Sequence, residues 1–298
     1  MSTGTIGRRL QRAEAPAART ASGLRWARRL SVAIVVLMAA ASVAGLLVDG
    51  LYQDTEAVAA MLRGYDLVAL VVAAPLLAIT LLPRLHRSVR AQLLWTGTLG
   101  YAVYNYAIYV FGTGFDDVFL VHVALFSLSV FALGLALANL DVAGIARAFG
   151  RRTPVRLVSA ILMLLAGGLG AMWVFYSVRF AVTGEFPEES LLVLPAAGVH
   201  LGYVLDLALL VPASVLAAVL LWRRTGWGYL LATTLAVFNV LFQVNYMVAL
   251  TFQAQAGVPG ATMFDPLEPV VFTAYLAAAV LLLGNVRSTR QLDQQSTP

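Results

Sequence analysis

Long apolar runs, each near the length that carries an α-helix across a bilayer, succeed one another through most of this chain. They fall at about Leu30 to Val48, Asp66 to Leu82, Ala91 to Gly112, Val118 to Leu140, Leu157 to Val178, His200 to Trp222, Trp227 to Gln253 and Leu267 to Val286. No run alternates apolar and polar residues, as a membrane barrel strand must. Sixty per cent of the 298 residues are hydrophobic and 12% charged, against about 45–50% apolar and about 25% charged in an ordinary soluble domain. Folding alone cannot hide that much apolar surface from water, so lipid must act as solvent. The expected fold is all-α: a polytopic transmembrane helical bundle of about eight spans.

The charged residues divide the chain further. Residues 1–29 carry seven arginines and few large apolar groups and read as a basic, disordered cytoplasmic tail. Residues 30–286 form the transmembrane domain, and 287–298 a second cytoplasmic tail. With the amino terminus inside, every arginine except Arg63 and Arg179 falls on the inner side, which the positive-inside rule turns into a plasma (inner) membrane topology with both termini cytoplasmic. The outer side collects Asp49, Asp54, Glu56, Asp116, Asp117, Glu185, Glu188, Glu189 and Asp265. These are solvated loops, or a field that draws cations to an outer mouth. Arg28-Arg29 followed by an apolar stretch ending Ala41-Ser42-Val43-Ala44-Gly45 also resembles a cleavable signal peptide. The run continues through Leu46, Leu47 and Val48, which favours an uncleaved span. Trp26, Trp95, Trp222, Trp227 and Tyr229 at inner ends suit interfacial anchoring, and Gly167, Gly168, Gly170 and Ala171 suit close helix packing.

Several chemistries are excluded. There is no cysteine, hence no disulfide, thiolate metal site or cysteine nucleophile. There is no lysine, hence no Schiff base. No phosphate-binding, nucleophile-elbow or zinc-protease motif occurs. Nothing points to nucleic acid; the bilayer is the evident partner, no cofactor is indicated, and oligomeric state is open. Arginine without lysine, beside abundant alanine, leucine and valine, matches the codon bias of a GC-rich bacterial genome.

Two stretches repeat loosely. Gly64-Tyr65-Asp66-Leu67 with Pro75 parallels Gly202-Tyr203, Asp206-Leu207 and Pro212, and Thr98-Leu99 with Asn105-Tyr106 parallels Thr234-Leu235 with Asn245-Tyr246. Duplication of a four-helix unit gives this pattern, and an even unit keeps both halves in one orientation. Prolines interrupting spans at matching places are also the best sequence pointer to a transporter's site.

An ionisable group at a span centre costs at least about 2.5–3.5 kcal/mol on insertion scales, so it marks a site by default. Asp206 is the clearest case, roughly 9 Å deeper than His200, with Tyr203 between them. Its structural alternative is a salt bridge, with Arg179 the nearest candidate. His122 lies about a turn inside the fourth span. Asp66 and Glu268 stand at the starts of the second and eighth, where the helix dipole alone would account for a carboxylate. Tyr101, Asn105 and Tyr109 line one face of the third span; Asn239, Gln243 and Tyr246 share an arc of the seventh. Ligand-binding candidates are therefore Asp206, His200, Tyr203, His122, Asn105, Tyr101, Gln243, Asn239, Asp66 and Glu268, gathered in one polar cavity in the outer half; no catalytic residue or metal ligand set is assigned. Interhelical hydrogen bonding is the plain alternative for the amides.

The strings Gly100-Tyr101-Ala102-Val103-Tyr104-Asn105-Tyr106-Ala107, Val204-Leu205-Asp206-Leu207-Ala208 with Pro212, and Leu221-Trp222-Arg223-Arg224 running into Trp227-Gly228-Tyr229 resemble those of a widespread group of uncharacterised bacterial and archaeal multispanning proteins. The likeness covers most of residues 60 to 285 and implies no activity. The zinc-dependent ceramidase-like membrane hydrolases are similar in helix count, but need three histidines and an aspartate where only two histidines are placed to serve. Three functions remain: binding of a small polar or cationic solute for transport or sensing, with Asp206 as counter-ion and His200 as proton-linked partner; a membrane-embedded lipid or prenyl hydrolase or transferase using His122 or His200 with Asp66, Asp206 or Glu268; and a structural or assembly subunit.

Overall fold

The computed structural model describes residues 3–187 and 192–287, with side chains from Thr20 onward. The described residues form helices joined by short turns: α1 (Thr3–Leu47), α2 (Glu56–Val68), α3 (Ala74–Thr80), α4 (Val89–Phe111), α5 (Phe119–Asn139), α6 (Val142–Ala148), α7 (Val155–Thr183), α8 (Ala196–Leu205), α9 (Val211–Trp222), α10 (Gly226–Gln255) and α11 (Leu267–Gly284). Among the described residues the sole β pairing is an isolated bridge between Phe149 and Val286. Seven helical stretches are long and apolar enough to cross a membrane: Thr20–Leu47, Glu56–Thr80, Phe119–Asn139, Val155–Thr183, Ala196–Trp222, Gly226–Gln255 and Leu267–Gly284. This is a membrane protein. The 23-residue α4 lies among them but is too polar to count by that measure. It buries Tyr101, Tyr104, Asn105, Tyr106 and Tyr109, so its polar groups face protein.

Local chemistry sets the boundaries. The side chains of Thr55, Ser88, Asp141 and Thr225 each accept a hydrogen bond from a backbone N–H in the first turn of α2, α4, α6 and α10, as good N-caps do. The Thr55 cap places the start of α2 ten residues before Asp66, where the apolar run alone began. Arg63, one of the two arginines expected on the outer side, is half-buried within α2 and pairs with Asp49 at 3.5 Å. The backbone of α1 continues back to Thr3, so the arginine- and alanine-rich segment expected to be a loose tail prolongs the first helix, consistent with the high helix propensity of both residues. Residues 288–298 of the expected carboxy-terminal tail, and Glu188 and Glu189, lie outside the described residues.

The second and sixth spans are each broken by one π-helical turn, Ala69–Ala73 between α2 and α3 and Asp206–Leu210 between α8 and α9. Pro75 and Pro212 follow immediately. Proline has no N–H and its ring collides with the carbonyl four residues back; a wider turn relieves the clash, with Ala74 N–H bonding Ala69 O and Val211 N–H bonding Asp206 O. Aligned on the prolines, the two turns coincide.

α4 and α10 form the central pair and run parallel. Thr96 and Thr234 share a hydroxyl hydrogen bond of 2.8 Å near one end. Further along, Asn245 Nδ2 donates to Asn105 Oδ1 at 2.7 Å and Tyr101 Oη donates to Asn245 Oδ1 at 3.0 Å. Around α4, the helix α1 packs on α2, α3 and α5, while α4 itself packs on α3 and α5. Around α10, the helix α7 packs on α9 and α11, while α10 itself packs on α9 and α11. The two sets cross where α2 meets α10 and α8 meets α4. Gly64 permits the first crossing: a Cβ there would lie 2.9 Å from the Ala249 Cα. Replacing Asn245 by leucine strands Asn105 and Tyr101 together, and is expected to lower stability by about 1–2 kcal/mol, measurable as a lower melting temperature in detergent; an unchanged melting temperature would remove the seam as a structural element.

The two ends of the bundle differ in charge. At the arginine end, Arg90 donates to the Leu283 and Val286 carbonyls at 3.0 and 2.6 Å, Arg28 to His86 O at 3.3 Å and Arg224 to Thr153 O at 3.4 Å, tying the turns between helices together. At the acidic end, Asp54 accepts from Gly114 N–H at 2.8 Å, and Gln253 clamps Ala57 O and both backbone groups of Val193. The small residues of α7 depart from expectation. A Cβ on Gly170 would touch Val211 at 3.2 Å, but one on Gly167 or Gly168 would meet nothing within 4 Å. Those two glycines face open space rather than a packed helix.

Candidate functional site

Asp66 and Asp206 both lie well inside their spans. Each is ten residues from the start of its helix, α2 and α8, or about 15 Å along the axis, with 2% and 8% of its surface exposed. That depth removes the dipole explanation for Asp66, because the dipole acts only within the first turn.

Both carboxylates are held by neutral donors. Tyr109 of α4 donates to Asp66 Oδ1 at 3.0 Å and is shared with Leu62 O at 3.1 Å. Tyr52, in the turn after α1, donates to Oδ2. Tyr104 of α4 donates to Asp206 Oδ1 at 2.6 Å, and Trp173 of α7 donates its indole N–H to Oδ2 at 2.9 Å. The Trp173 ring is in turn packed on Tyr203, centroids 4.0 Å apart. Among the described residues no arginine lies within ion-pair distance of either carboxylate; Arg179 pairs instead with Glu185 at 2.5 Å. The expected salt-bridge alternative for Asp206 is thus replaced by a tyrosine and a tryptophan.

The Asp66 centre depends on a missing side chain. A Cβ on Gly45 of α1 would collide with the Asp66 carboxylate and the Tyr52 hydroxyl, so only glycine lets α1 close over them. Burial, reinforced by the charge of Asp66 beside it, pushes the Tyr52 hydroxyl well above its ordinary range and keeps it a donor.

His122 of α5 completes this centre. It is wholly buried, with ring centroids 4.5 Å from Tyr109, 6.1 Å from Tyr106 and 6.5 Å from Tyr52. Its Nδ1 is 3.4 Å from Asp116 Oδ2, within ion-pair reach once the ring is protonated. Neither ring nitrogen finds hydrogen-bond geometry, whereas the buried Ser42 hydroxyl lies within reach of both Asp66 and the Tyr106 hydroxyl. Burial raises the Asp116 carboxyl, opposed by the Val118 N–H it accepts. Unpaired buried polar atoms are rare in folded proteins and call for a water, ion or ligand. Replacing His122 by phenylalanine keeps the ring packing and deletes two orphan nitrogens. That variant is expected to melt no lower than the native chain; a loss of about 2 kcal/mol in thermal unfolding would show the imidazole to be a structural hydrogen bonder.

Tyr65 and Tyr101, both fully buried, bridge the two centres: Tyr101 is within electrostatic reach of Asp66 and Tyr65, and Tyr65 of Asp206. Asn105 belongs to this band through Asn245. At the acidic end, a pocket of about 370 Å³ is lined by Tyr52, Glu56, Arg63, Phe252 and Gln255 among others. The residue that caps Asp66 therefore also floors an opening to the surface.

The remaining candidates lie elsewhere. Gln243 bonds Glu268, joining α10 to α11. Asn239 turns back to its own helix, donating to Leu235 O at 2.8 Å. His200 is exposed near the start of α8, so His122 is the imidazole enclosed near a carboxylate. Among the described residues no three His, Asp or Glu side chains gather as a metal site. Sequence reasoning missed Tyr52, Tyr104, Tyr106 and Trp173. The clustering of Tyr101, Tyr104, Tyr106 and Tyr109 in one span was the available signal, since phenols facing lipid would leave their hydroxyls unpaired. Comparison with protein-family models, with curated proteins and with solved structures finds no match to this chain.

Proposed function

We propose that this chain is a bacterial inner-membrane protein of eight spans, α4 included, with both termini cytoplasmic, that binds a small polar or cationic solute for transport or sensing. The observation that carries the reading is the pair of mid-span carboxylates, each solvated by two neutral donors and neither matched by a cation. Uncompensated negative charge in a low-dielectric interior attracts a cation more strongly than it would in water. The acidic end faces the periplasm under the positive-inside rule, so the Tyr52 pocket is the entrance and Tyr52 the group that must move to admit a solute to Asp66. His122, with Asp116 behind it, takes the proton-linked part first given to His200.

The matching packing of the two helix sets and the coincident π turns support two parallel four-helix halves about a pseudo-twofold axis between α4 and α10. Asp66 and Asp206 are then one site in each half, offset by a helical turn. Transport assays in proteoliposomes with a quaternary ammonium, a polyamine and an amino acid test the reading. A solute moved by the native chain should be lost with Asp66→Asn or Asp206→Asn. Unaltered uptake of every such solute by both variants would refute it.

A further inference from the structure

At the arginine end, an open groove of about 820 Å³ runs between α7 and α9, well separated in sequence from the groups around Asp66. Its polarity is graded. Arg223 lines its mouth, and Arg156 sits 5.8 Å over the ring of Trp222, which also lines it. One turn further in, Ser159 lines the groove with 3% of its surface exposed and a hydroxyl that has no partner. Deeper still the lining is apolar and ends at Gly167 and Gly168, where missing side chains leave space that no neighbouring helix fills. From Arg156 to Gly168 is twelve residues, or about 18 Å along the helix.

Positive charge, then one unsatisfied hydroxyl, then an apolar trough is the complement of a single amphiphile: anionic headgroup, ester carbonyl, acyl chain. We propose that this groove seats one anionic phospholipid of the leaflet at the arginine end. Its phosphate lies between Arg156 and Arg223, an ester oxygen accepts from Ser159, and a chain lies over Gly167 and Gly168. Basic pockets between membrane helices bind anionic headgroups on charge grounds, and the volume falls within the roughly 300–1,000 Å³ of small-molecule sites. A second copy of the chain is the poorer occupant, because a two-fold contact along α7 would bring the arginines of both copies together.

The test uses full-length protein, delipidated in detergent and given phosphatidylglycerol or phosphatidylcholine with identical chains, bound lipid being counted by native mass spectrometry. Phosphatidylglycerol should bind more tightly. R156Q and R223Q should each weaken it about fivefold while barely affecting phosphatidylcholine. G168L should reduce retention of both lipids, and S159A should weaken both slightly. R84Q and R147Q, which change net charge away from the groove, should leave the preference intact and show that the variants fold. Equal binding of the two lipids by the native chain would overturn the proposal. So would a preference unmoved by R156Q with R223Q, or cross-linking that shows the α7 face buried against a second copy.

Discussion

Converting Asp66 and Asp206 together to asparagine is expected to lower uptake of any cationic solute carried by the native protein by at least about a hundredfold. Removing one partner of a buried charge pair costs about 2–5 kcal/mol, and 2.7 kcal/mol is a hundredfold. The substitution is gentle to the fold. At Asp66 both donors are tyrosine hydroxyls, either of which can turn to accept from the new amide. At Asp206 the indole N–H of Trp173 can only donate, so the amide must keep its oxygen toward Trp173 and turn its nitrogen to Tyr104. Protein that purifies with native yield and melts as before, yet moves no solute, is the expected outcome. The single variants separate the two halves: equal losses mean both carboxylates lie on the path, whereas a loss confined to Asp66→Asn places the path under the Tyr52 pocket. Uptake unchanged in the double variant would leave the bundle standing and remove its proposed role.

The largest expected effect on stability belongs to Gly228. A Cβ there would sit within the backbone of Leu220 and Leu221, where α9 turns into α10. Backbone cannot rotate aside as a flexible side chain can, and α10 packs against α2, α4, α9 and α11. Gly228→Val should therefore cost about 3 kcal/mol or more, seen as loss of monodisperse protein after extraction. Gly167→Ala, where a Cβ meets open space, is the matched control and should be tolerated, since alanine also favours the helix. Similar yields for both variants would contradict the tight α9 to α10 turn.

What could be read before the fold was known follows from the solvent. Hydrocarbon demands long apolar helices whose backbones are internally satisfied, so span positions, the inward-facing polarity of α4 and the depth of Asp206 were all legible. The starts of α2 and α8 were not: Arg63 interrupts the apolar pattern of α2, which continues past it to the Thr55 cap, and α8 begins at Ala196, directly after Pro195 and ahead of the apolar run read from His200. Gly167 and Gly168 misled for a related reason: small residues permit close packing but do not compel it, and only the placement of α9 decides whether the space is filled.

The order of apolar and charged residues was sufficient to determine a helical membrane bundle with unlike ends, since burying a charge or exposing a peptide group in lipid is too costly to be overridden. It could not determine which groups meet. The pairing of Asp206 with Tyr104 and Trp173, the closure of Gly45 over Asp66, and the enclosure of His122 rather than His200 all depend on how each helix is rotated against its neighbours. That rotation is set by packing summed over several helices distant in the chain, a quantity no local window of residues contains.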